Sequence, residues 1–206
     1  ASEEVLTFDE KLFFYYILQS EAHALMLHKI GILDLASLKE ILSALEEAKK
    51  LWSEGKFPLH LELEDVHMNI EKFITERTGN AGRMLHIARS RNDQVLTDIR
   101  LYMREKIITI LELLHALIKT FLKLATGHIN TIMPAYTHMQ SACAIPFAYW
   151  CLANADTLFR DAQRLIDSLK RVNMCPLGAG AVGGTPLPVD RKFVAQLLGF
   201  DGVQEN

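Results

Sequence analysis

One uninterrupted stretch limits how this chain can fold more than any other feature. Residues 92–125 contain neither proline nor glycine. Apolar side chains recur through this stretch with the spacing of an α-helix. They are Ile99, Tyr102, Met103, Ile107, Ile110, Leu111, Leu114, Leu117, Ile118 and Phe121. A helix of this length extends over roughly 50 Å, which suits the central bundle of an elongated protein, often an oligomer, better than a compact single layer.

The remaining apolar patterns also have helical periodicity. They predict helices at about 9–29, 34–55, 64–77, 146–172 and 191–198, with Asp34, Asn92 and Asp190 as caps. Between the two longest helices we expect an irregular break, 127–140, centred on Pro134. No alternating pattern of convincing strand length is present. The sequence therefore predicts an all-α fold with an N-terminal helical domain, 1–88, followed by an incomplete central bundle domain, 89–206.

Composition excludes several classes of protein. The formal net charge is −3, and no basic run exceeds Lys49-Lys50, so the chain lacks the electrostatic footprint of a nucleic-acid-binding protein. The three cysteines form no CxxC pair and are expected to be reduced, mostly buried thiols. No basic leader or long apolar run points to export or a membrane span. We expect a soluble, cytoplasmic protein that binds neither nucleic acid nor membrane.

A dense polar segment precedes the longest predicted helix. Residues 89–94 read Arg-Ser-Arg-Asn-Asp-Gln, which brings two guanidinium groups to a helix N-terminus. Guanidinium groups bind carboxylates bidentately, and the first turn of a helix adds unpaired N–H groups and the positive end of the dipole. The segment therefore predicts a carboxylate-binding site. A capping cluster with solvated arginines explains the same residues and remains an alternative.

A second polar segment contains Thr137-His138 immediately before the next helical run. Histidine transfers protons near neutral pH, and a neighbouring hydroxyl can orient a substrate. The dipeptide alone does not distinguish a catalytic histidine from a structural one in a loop.

The segment 60–67 holds two histidines and three carboxylates. Their spacing matches no compact helical pair of metal ligands, and no cysteine is near. We therefore expect no metal, and interpret Glu64 and Asp65 as an acidic first turn that suits the helix dipole. His67 is the member of this segment that we retain as a functional residue.

Taken together, these segments resemble the argininosuccinate lyase family, a branch of the fumarase/aspartase superfamily that includes the δ-crystallins. Nearly the whole chain is covered, and the motifs stand in the order and approximate spacing of that family. The matching segments are Glu64-Asp65-Val66-His67, Ser90-Arg91-Asn92-Asp93-Gln94-Val95 with Thr97-Asp98 and Arg100-Leu101, Pro134-x-Tyr136-Thr137-His138-x-Gln140, and Pro176-Leu177-Gly178-x-Gly180-Ala181 to Pro188-x-Asp190-Arg191.

The resemblance implies reversible cleavage of argininosuccinate to arginine and fumarate, in arginine biosynthesis, without a metal or organic cofactor. It also implies a homotetramer in which segments of three chains build each active site. His138 matches a catalytic histidine of the family. The predicted substrate-binding residues, by match or as members of the same motifs, are His67, Ser90, Arg91, Asn92, Thr137 and Gln140.

The chain also departs from the family pattern. Tyr16 stands where Asp is usual, Gln19 where Gly is usual, and Val5 where a substrate-contacting Ser is common. The family's mobile loop, which carries a serine assigned as the catalytic base, has no counterpart here. We therefore expect an N-terminal portion that is inactive alone. Two alternatives remain: a non-catalytic δ-crystallin-like relative, and another lyase of the superfamily that releases fumarate from a different adduct.

Overall fold

The computed structural model describes residues 9–63 and 65–205, and a 3-10 turn, Glu10–Leu12, opens the described part. Val5 and Glu64 lie outside the described residues. The helices that follow are α1 (Phe13–Lys29), α2 (Leu35–Ser53), α3 (Val66–Thr78), α4 (Asn80–Met84), α5 (Arg91–Gly127), α6 (Phe147–Val172) and α7 (Arg191–Leu197). The strands are β1 (Ile132–Thr137), β2 (Gln140–Pro146), β3 (Met174–Cys175) and β4 (Gly202–Val203). None of the helices in the described ranges is both long enough and apolar enough to cross a membrane.

Three aspartates start helices by the same contact. Asp34, Asp65 and Asp190 each accept a hydrogen bond from the backbone N–H three residues later, at 2.7, 2.6 and 2.9 Å respectively. Each bond satisfies one of the N–H groups that a helix leaves unpaired at its start. The predicted caps at Asp34 and Asp190 are confirmed.

The predicted long helix is confirmed, and α5 is slightly longer than expected. Its cap differs from the prediction. The Ser90 hydroxyl accepts the Asn92 N–H at 3.3 Å, and the Asp93 carboxylate accepts the Ser90 N–H at 3.0 Å. Asn92 therefore lies inside the first turn, and the expectation that it caps the helix is wrong. An Asp three residues after a Ser closes this turn reciprocally, in the manner of a capping box.

The chain divides into two compact units. The first consists of residues 1–103 and 173–206, and the second of residues 104–172. The domain boundary expected after residue 88 stays a prediction.

The first unit holds a large apolar core between α1, α2 and α3. Phe13 stacks on Trp52 with ring centroids 4.0 Å apart, and Phe57 contacts both rings edge-on. Leu101 of α5 and Leu177 of the following loop are buried in the same core. Because Leu101 belongs to α5, the core fixes the start of that helix against the N-terminal helices.

The second unit contains an antiparallel hairpin where the sequence predicted an irregular break. Thr137 pairs with Gln140 across a two-residue turn, and the ladder runs to Ile132 opposite Pro146. The expectation of a loop is therefore wrong for this segment. Pro134 is tolerated because a two-stranded ladder consists only of edge strands, and a bulge lies between Pro134 and Tyr136.

Buried side chains are few in the second unit. Its apolar cluster consists of Ala125, Ala148 and Cys151, with Phe121 and Phe147 packed against them. The predicted buried thiols are confirmed for Cys151 and Cys175, whereas Cys143 is exposed, and all three cysteines are free. Large apolar side chains of this unit are exposed in the structure, among them Leu113, Leu117, Leu122, Tyr149, Trp150, Phe159 and Ile166.

Candidate active site

His67 is held by a buried carboxylate of the long helix. Its Nε2 lies 2.8 Å from Asp98 Oδ2, and neither side chain is exposed beyond 1%. The second oxygen, Asp98 Oδ1, accepts the Gln19 amide at 2.7 Å. The Tyr16 ring packs edge-on against His67 with ring centroids 4.9 Å apart. Helices α1, α3 and α5 therefore converge on one buried polar group.

Burial raises the pKa of Asp98 to about 6, although the hydrogen bonds from His67 and Gln19 and the charge of Arg89 oppose that rise. Arg89 is itself buried, and its Nη1 donates to the Ser20 hydroxyl at 3.2 Å. A carboxylate without these partners would be protonated far more readily in such surroundings. The partners of Asp98 therefore hold its pKa below the value that burial alone would give.

Arg91, predicted to clamp a substrate carboxylate, contacts carboxylates of its own chain. Its Nη1 and Nη2 donate to the two oxygens of Glu71, each at 3.1 Å. Its Nε lies 3.4 Å from Asp65 Oδ2, and Nη1 also lies 3.3 Å from Gln94 Oε1. The bidentate face of the guanidinium is thus occupied, and a substrate carboxylate would have to displace Glu71 or use the remaining Nη2 hydrogen.

Glu71 is the centre of a second polar group. Besides Arg91, it accepts the Tyr16 hydroxyl at 3.2 Å, and the ring of His86 lies 3.3 Å away. Partial burial acts to raise the pKa of Glu71, but the contacts with His86 and Arg91 outweigh it and hold that pKa at about 2. Burial also raises the pKa of Tyr16. The phenol therefore stays a hydrogen-bond donor to Glu71.

The start of α5 borders a cleft of about 200 Å³, lined by Asn92, Asp93, Leu96, Pro176, Ala179, Gly180, Gln204 and Glu205. Asn92 is exposed. Asp93 Oδ2 accepts the backbone N–H groups of Gly180 at 2.8 Å and Gly178 at 3.2 Å, which ties the loop to the helix. Gly178 has φ +84°, and a Cβ atom there would stand 2.9 Å from the Arg191 side chain. The loop can follow this course because glycine allows both.

His138 lies at the tip of the hairpin. It and Met139 form the two-residue turn, and both have positive φ values, 48° and 56°. Such a turn matches the twist of the strands but is normally built from Asn or Gly. Thr137, His138 and Gln140 are all exposed.

The predicted site residues fall into two groups, one in each unit. His67, Ser90, Arg91 and Asn92 belong to the first unit, where α3 meets the start of α5. Thr137, His138 and Gln140 belong to the hairpin of the second unit. Each group is therefore positioned by the packing of its own unit.

Sequence reasoning missed several members of the first group. Glu71 lies four residues after His67 on α3, a spacing that places both on one helix face and that could have been noticed. Asp98 lies in the family motif that begins at Ser90, but the motif alone predicts no role for it. In the sequence, Tyr16 and Gln19 stand out only as departures from the family pattern. No set of three or more His, Cys, Asp or Glu side chains suited to a metal ion occurs in the part of the chain that the structure describes.

Comparison with known proteins identifies the family. A sequence profile described as lyase matches residues 6–206. The chain belongs to this lyase family. It is 45% identical over 201 residues to an argininosuccinate lyase of Desulforamulus reducens, covering 98% of this chain and 44% of that protein. It is 48% identical over 199 residues to an argininosuccinate lyase of Acinetobacter baumannii, covering 97% and 42% respectively. The predicted resemblance is confirmed.

The chain spans about two fifths of the length of these curated relatives. Among solved structures, EDDS lyase in complex with formate superimposes with a TM-score of 0.86 at 29% sequence identity, covering 95% of this chain and 38% of that one. This likeness confirms the predicted all-α, fumarase/aspartase-like fold.

Proposed function

We propose that this lyase-family chain serves the reversible cleavage of argininosuccinate to arginine and fumarate. The observation that carries the proposal is the 45–48% identity to proteins named argininosuccinate lyase over 97–98% of the chain. The non-catalytic alternative is not favoured, because these relatives are enzymes.

The proposed reaction is a β-elimination. A base removes a proton from the succinyl carbon next to a carboxylate, and the resulting carbanion delocalises into that carboxylate. The electron pair then forms the double bond of fumarate as the bond to the guanidinium nitrogen breaks, and the leaving nitrogen takes up a proton. Electrostatic stabilisation of the carbanion is the largest contribution expected from the protein.

We assign the proton transfer at the leaving group or at the succinyl carbon to His138. Thr137 and Gln140 would orient substrate from the same hairpin, and Ser90 and Asn92 from the start of α5. The exposure of His138, Thr137, Gln140 and Asn92 supports these assignments, because a substrate can reach them. Arg91 and His67 would line the site from the α3 side, with Arg91 acting in exchange with Glu71.

The proposed assembly is a cytoplasmic homotetramer with shared active sites. Support comes from the second unit, whose exposed apolar side chains include Tyr149 at 65% and Phe159 at 53%. Contiguous exposed apolar surface usually marks an interface. Light scattering tests the assembly, and a strict monomer at micromolar concentration would oppose it for this chain.

The activity is tested in a chimera in which residues 1–206 replace the matched segment of the Acinetobacter baumannii relative. Ultraviolet absorbance follows fumarate release from argininosuccinate. We expect His138→Asn to reduce turnover at least about a hundredfold while binding changes only a few-fold. His128→Asn, a like change at another exposed histidine, is the control and should retain activity. A folded chimera that releases no fumarate would overturn the proposal.

A second candidate is a lyase that acts on a different fumarate adduct. Tyr16 and Gln19, which differ from the family pattern, are the observation that favours it, because both reach the residues around His67 and Arg91. The same chimera, given a panel of N-succinyl amines beside argininosuccinate, separates the two. A higher kcat/KM for another adduct would select the second candidate.

A further inference from the structure

A line of buried hydrogen bonds runs from the backbone of α5 to His67. The Gln94 carbonyl oxygen accepts the Gln19 amide nitrogen at 3.1 Å, and the same nitrogen donates to Asp98 Oδ1 at 2.7 Å. Asp98 Oδ2 then contacts His67 Nε2 at 2.8 Å. Gln19, Asp98 and His67 are all at most 1% exposed. These side chains are therefore shielded from bulk solvent.

The chemistry of this line fixes which way each group points. A backbone carbonyl can only accept, so the nitrogen of the Gln19 amide must face it. That nitrogen then also faces Asp98 Oδ1 and stabilises the ionised carboxylate. An ionised carboxylate can only accept, so the hydrogen between Asp98 and His67 must lie on Nε2. Burial raises the pKa of Asp98 to about 6, and the hydrogen bonds from Gln19 and His67 and the charge of Arg89 favour the ionised carboxylate against that effect.

The other ring nitrogen of His67 has no hydrogen-bond partner among the described residues and is fully buried. Asp65 Oδ2 is 3.7 Å from it, beyond hydrogen-bond distance. Asp65 already has two other partners. Its Oδ1 accepts the Met68 N–H, and its Oδ2 faces Arg91 Nε. Nδ1 and Asp65 Oδ2 are therefore two acceptors that face one another, and no residue in the described ranges donates to Nδ1.

We propose that Asp98, oriented by Gln19, is a positioning residue that fixes the ring hydrogen of His67 on Nε2 and leaves Nδ1 to accept a hydrogen from a ligand N–H or O–H group. The proposal deepens the proposed function and rests on it for the ligand, since an amino or guanidinium nitrogen of an N-succinyl substrate is such a donor. Its structural part stands on contacts within this chain alone.

Histidine NMR of the full 206-residue chain tests the proposal without substrate. With 15N-labelled histidine at about pH 8, above the usual histidine range, long-range proton–nitrogen correlations report which ring nitrogen carries the hydrogen. We expect the His67 ring hydrogen on Nε2 and none on Nδ1. His23 is an internal control, because its Nε2 lies 2.9 Å from the Ile87 carbonyl oxygen and must donate to it.

In the Asp98→Asn variant we expect the ring hydrogen of His67 to move to the other nitrogen, with no change at His23. The Gln19 donor would hold the new amide with its oxygen towards Gln19 and its nitrogen towards His67. That nitrogen donates, so Nε2 becomes an acceptor and the hydrogen moves to Nδ1. We expect the nitrogen shifts of His67 to exchange between the two ring positions while those of His23 stay unchanged.

Three results would overturn the proposal: a parent His67 protonated on Nδ1, a parent His67 carrying a hydrogen on both nitrogens at about pH 8, or an Asp98→Asn variant with the parental tautomer. If that variant fails to fold, the parental spectrum alone decides. A chimera without lyase activity would contradict the proposed function but would not change these spectra. Failure of the proposed function and failure of the His67 proposal are therefore distinguishable.

Discussion

His67 and His138 are both predicted site residues, but the two units hold them in opposite ways. His67 is 1% exposed, with a carboxylate 2.8 Å away and three helices around it. His138 is exposed on a two-residue turn whose residues both have positive φ. The first histidine is positioned by hydrogen bonds and packing, and the second by backbone conformation. Substitutions should therefore have different costs in the two regions.

The largest expected effect on stability is at His67. His67→Leu leaves the Asp98 carboxylate buried without its main partner, which typically costs about 3 kcal/mol. His138→Asn removes no buried contact, and asparagine tolerates positive φ, so its free energy of unfolding should stay within about 0.5 kcal/mol of the parent. Urea unfolding followed by circular dichroism measures both. Equal losses would show that the two histidines are not held differently.

The Glu71 and Arg91 pair should produce an acid-dependent effect. The pKa of Glu71 in the fold, about 2, lies below its ordinary value of 4.5. The stabilisation is therefore present above about pH 4.5 and is lost as the pH falls towards 2. Glu71→Gln should lower the free energy of unfolding by about 1–2 kcal/mol at neutral pH, discounted for partial exposure, and by less near pH 3.

The measurement that tests this prediction is the difference in free energy of unfolding between Glu71→Gln and the parent, followed from neutral pH into the acid range. Asp98 changes stability in the opposite sense, since its pKa is raised from 3.8 to about 6 and its favourable contribution fades as the pH rises between those values. This contribution of Asp98 is present in both the parent and Glu71→Gln, so it cancels when their free energies of unfolding are subtracted. A difference that did not shrink in acid would contradict the ion-pair account of Glu71.

A smaller effect, of opposite sign, is expected at the hairpin tip. Met139 is 99% exposed and has φ 56°. Met139→Gly removes the steric cost of the left-handed backbone and should raise the free energy of unfolding by about 0.5–1 kcal/mol, after the entropy cost of glycine. Met133→Gly, in the strand of the same hairpin, should lower it. A fall in thermal midpoint for both would mean that the turn is not strained.

The smallest effect is expected at a surface ion pair of the second unit. Lys170 Nζ lies 2.9 Å from Asp167 Oδ1, but the two side chains are 70% and 62% exposed. Lys170→Ala should leave the urea midpoint unchanged, because exposed pairs are screened by water and salt. A clear loss there would show that exposed pairs stabilise this chain as the half-buried Glu71 and Arg91 pair does.

Local rules explain which elements the sequence predicted. The helix starts at Asp34 and Asp190 follow from capping chemistry, and α5 follows from an apolar period without breakers. The hairpin was missed because β1 contains Pro134 and its turn is His-Met rather than an Asn-Gly pair. Its ladder depends on pairing between two strands, and neither strand carries a period of its own.

The sequence by itself determined the all-α class, the long helix and the motifs that place His67, Arg91, Asn92 and His138 in a lyase family, because each depends on neighbouring residues. Only the tertiary structure decided what those residues touch. Asp98 is 31 positions from His67 along the chain, and Gln19 is 79 from Asp98. Contacts over such separations arise from the packing of α1, α3 and α5. The local spacing of apolar residues does not predict which polar groups this packing buries together.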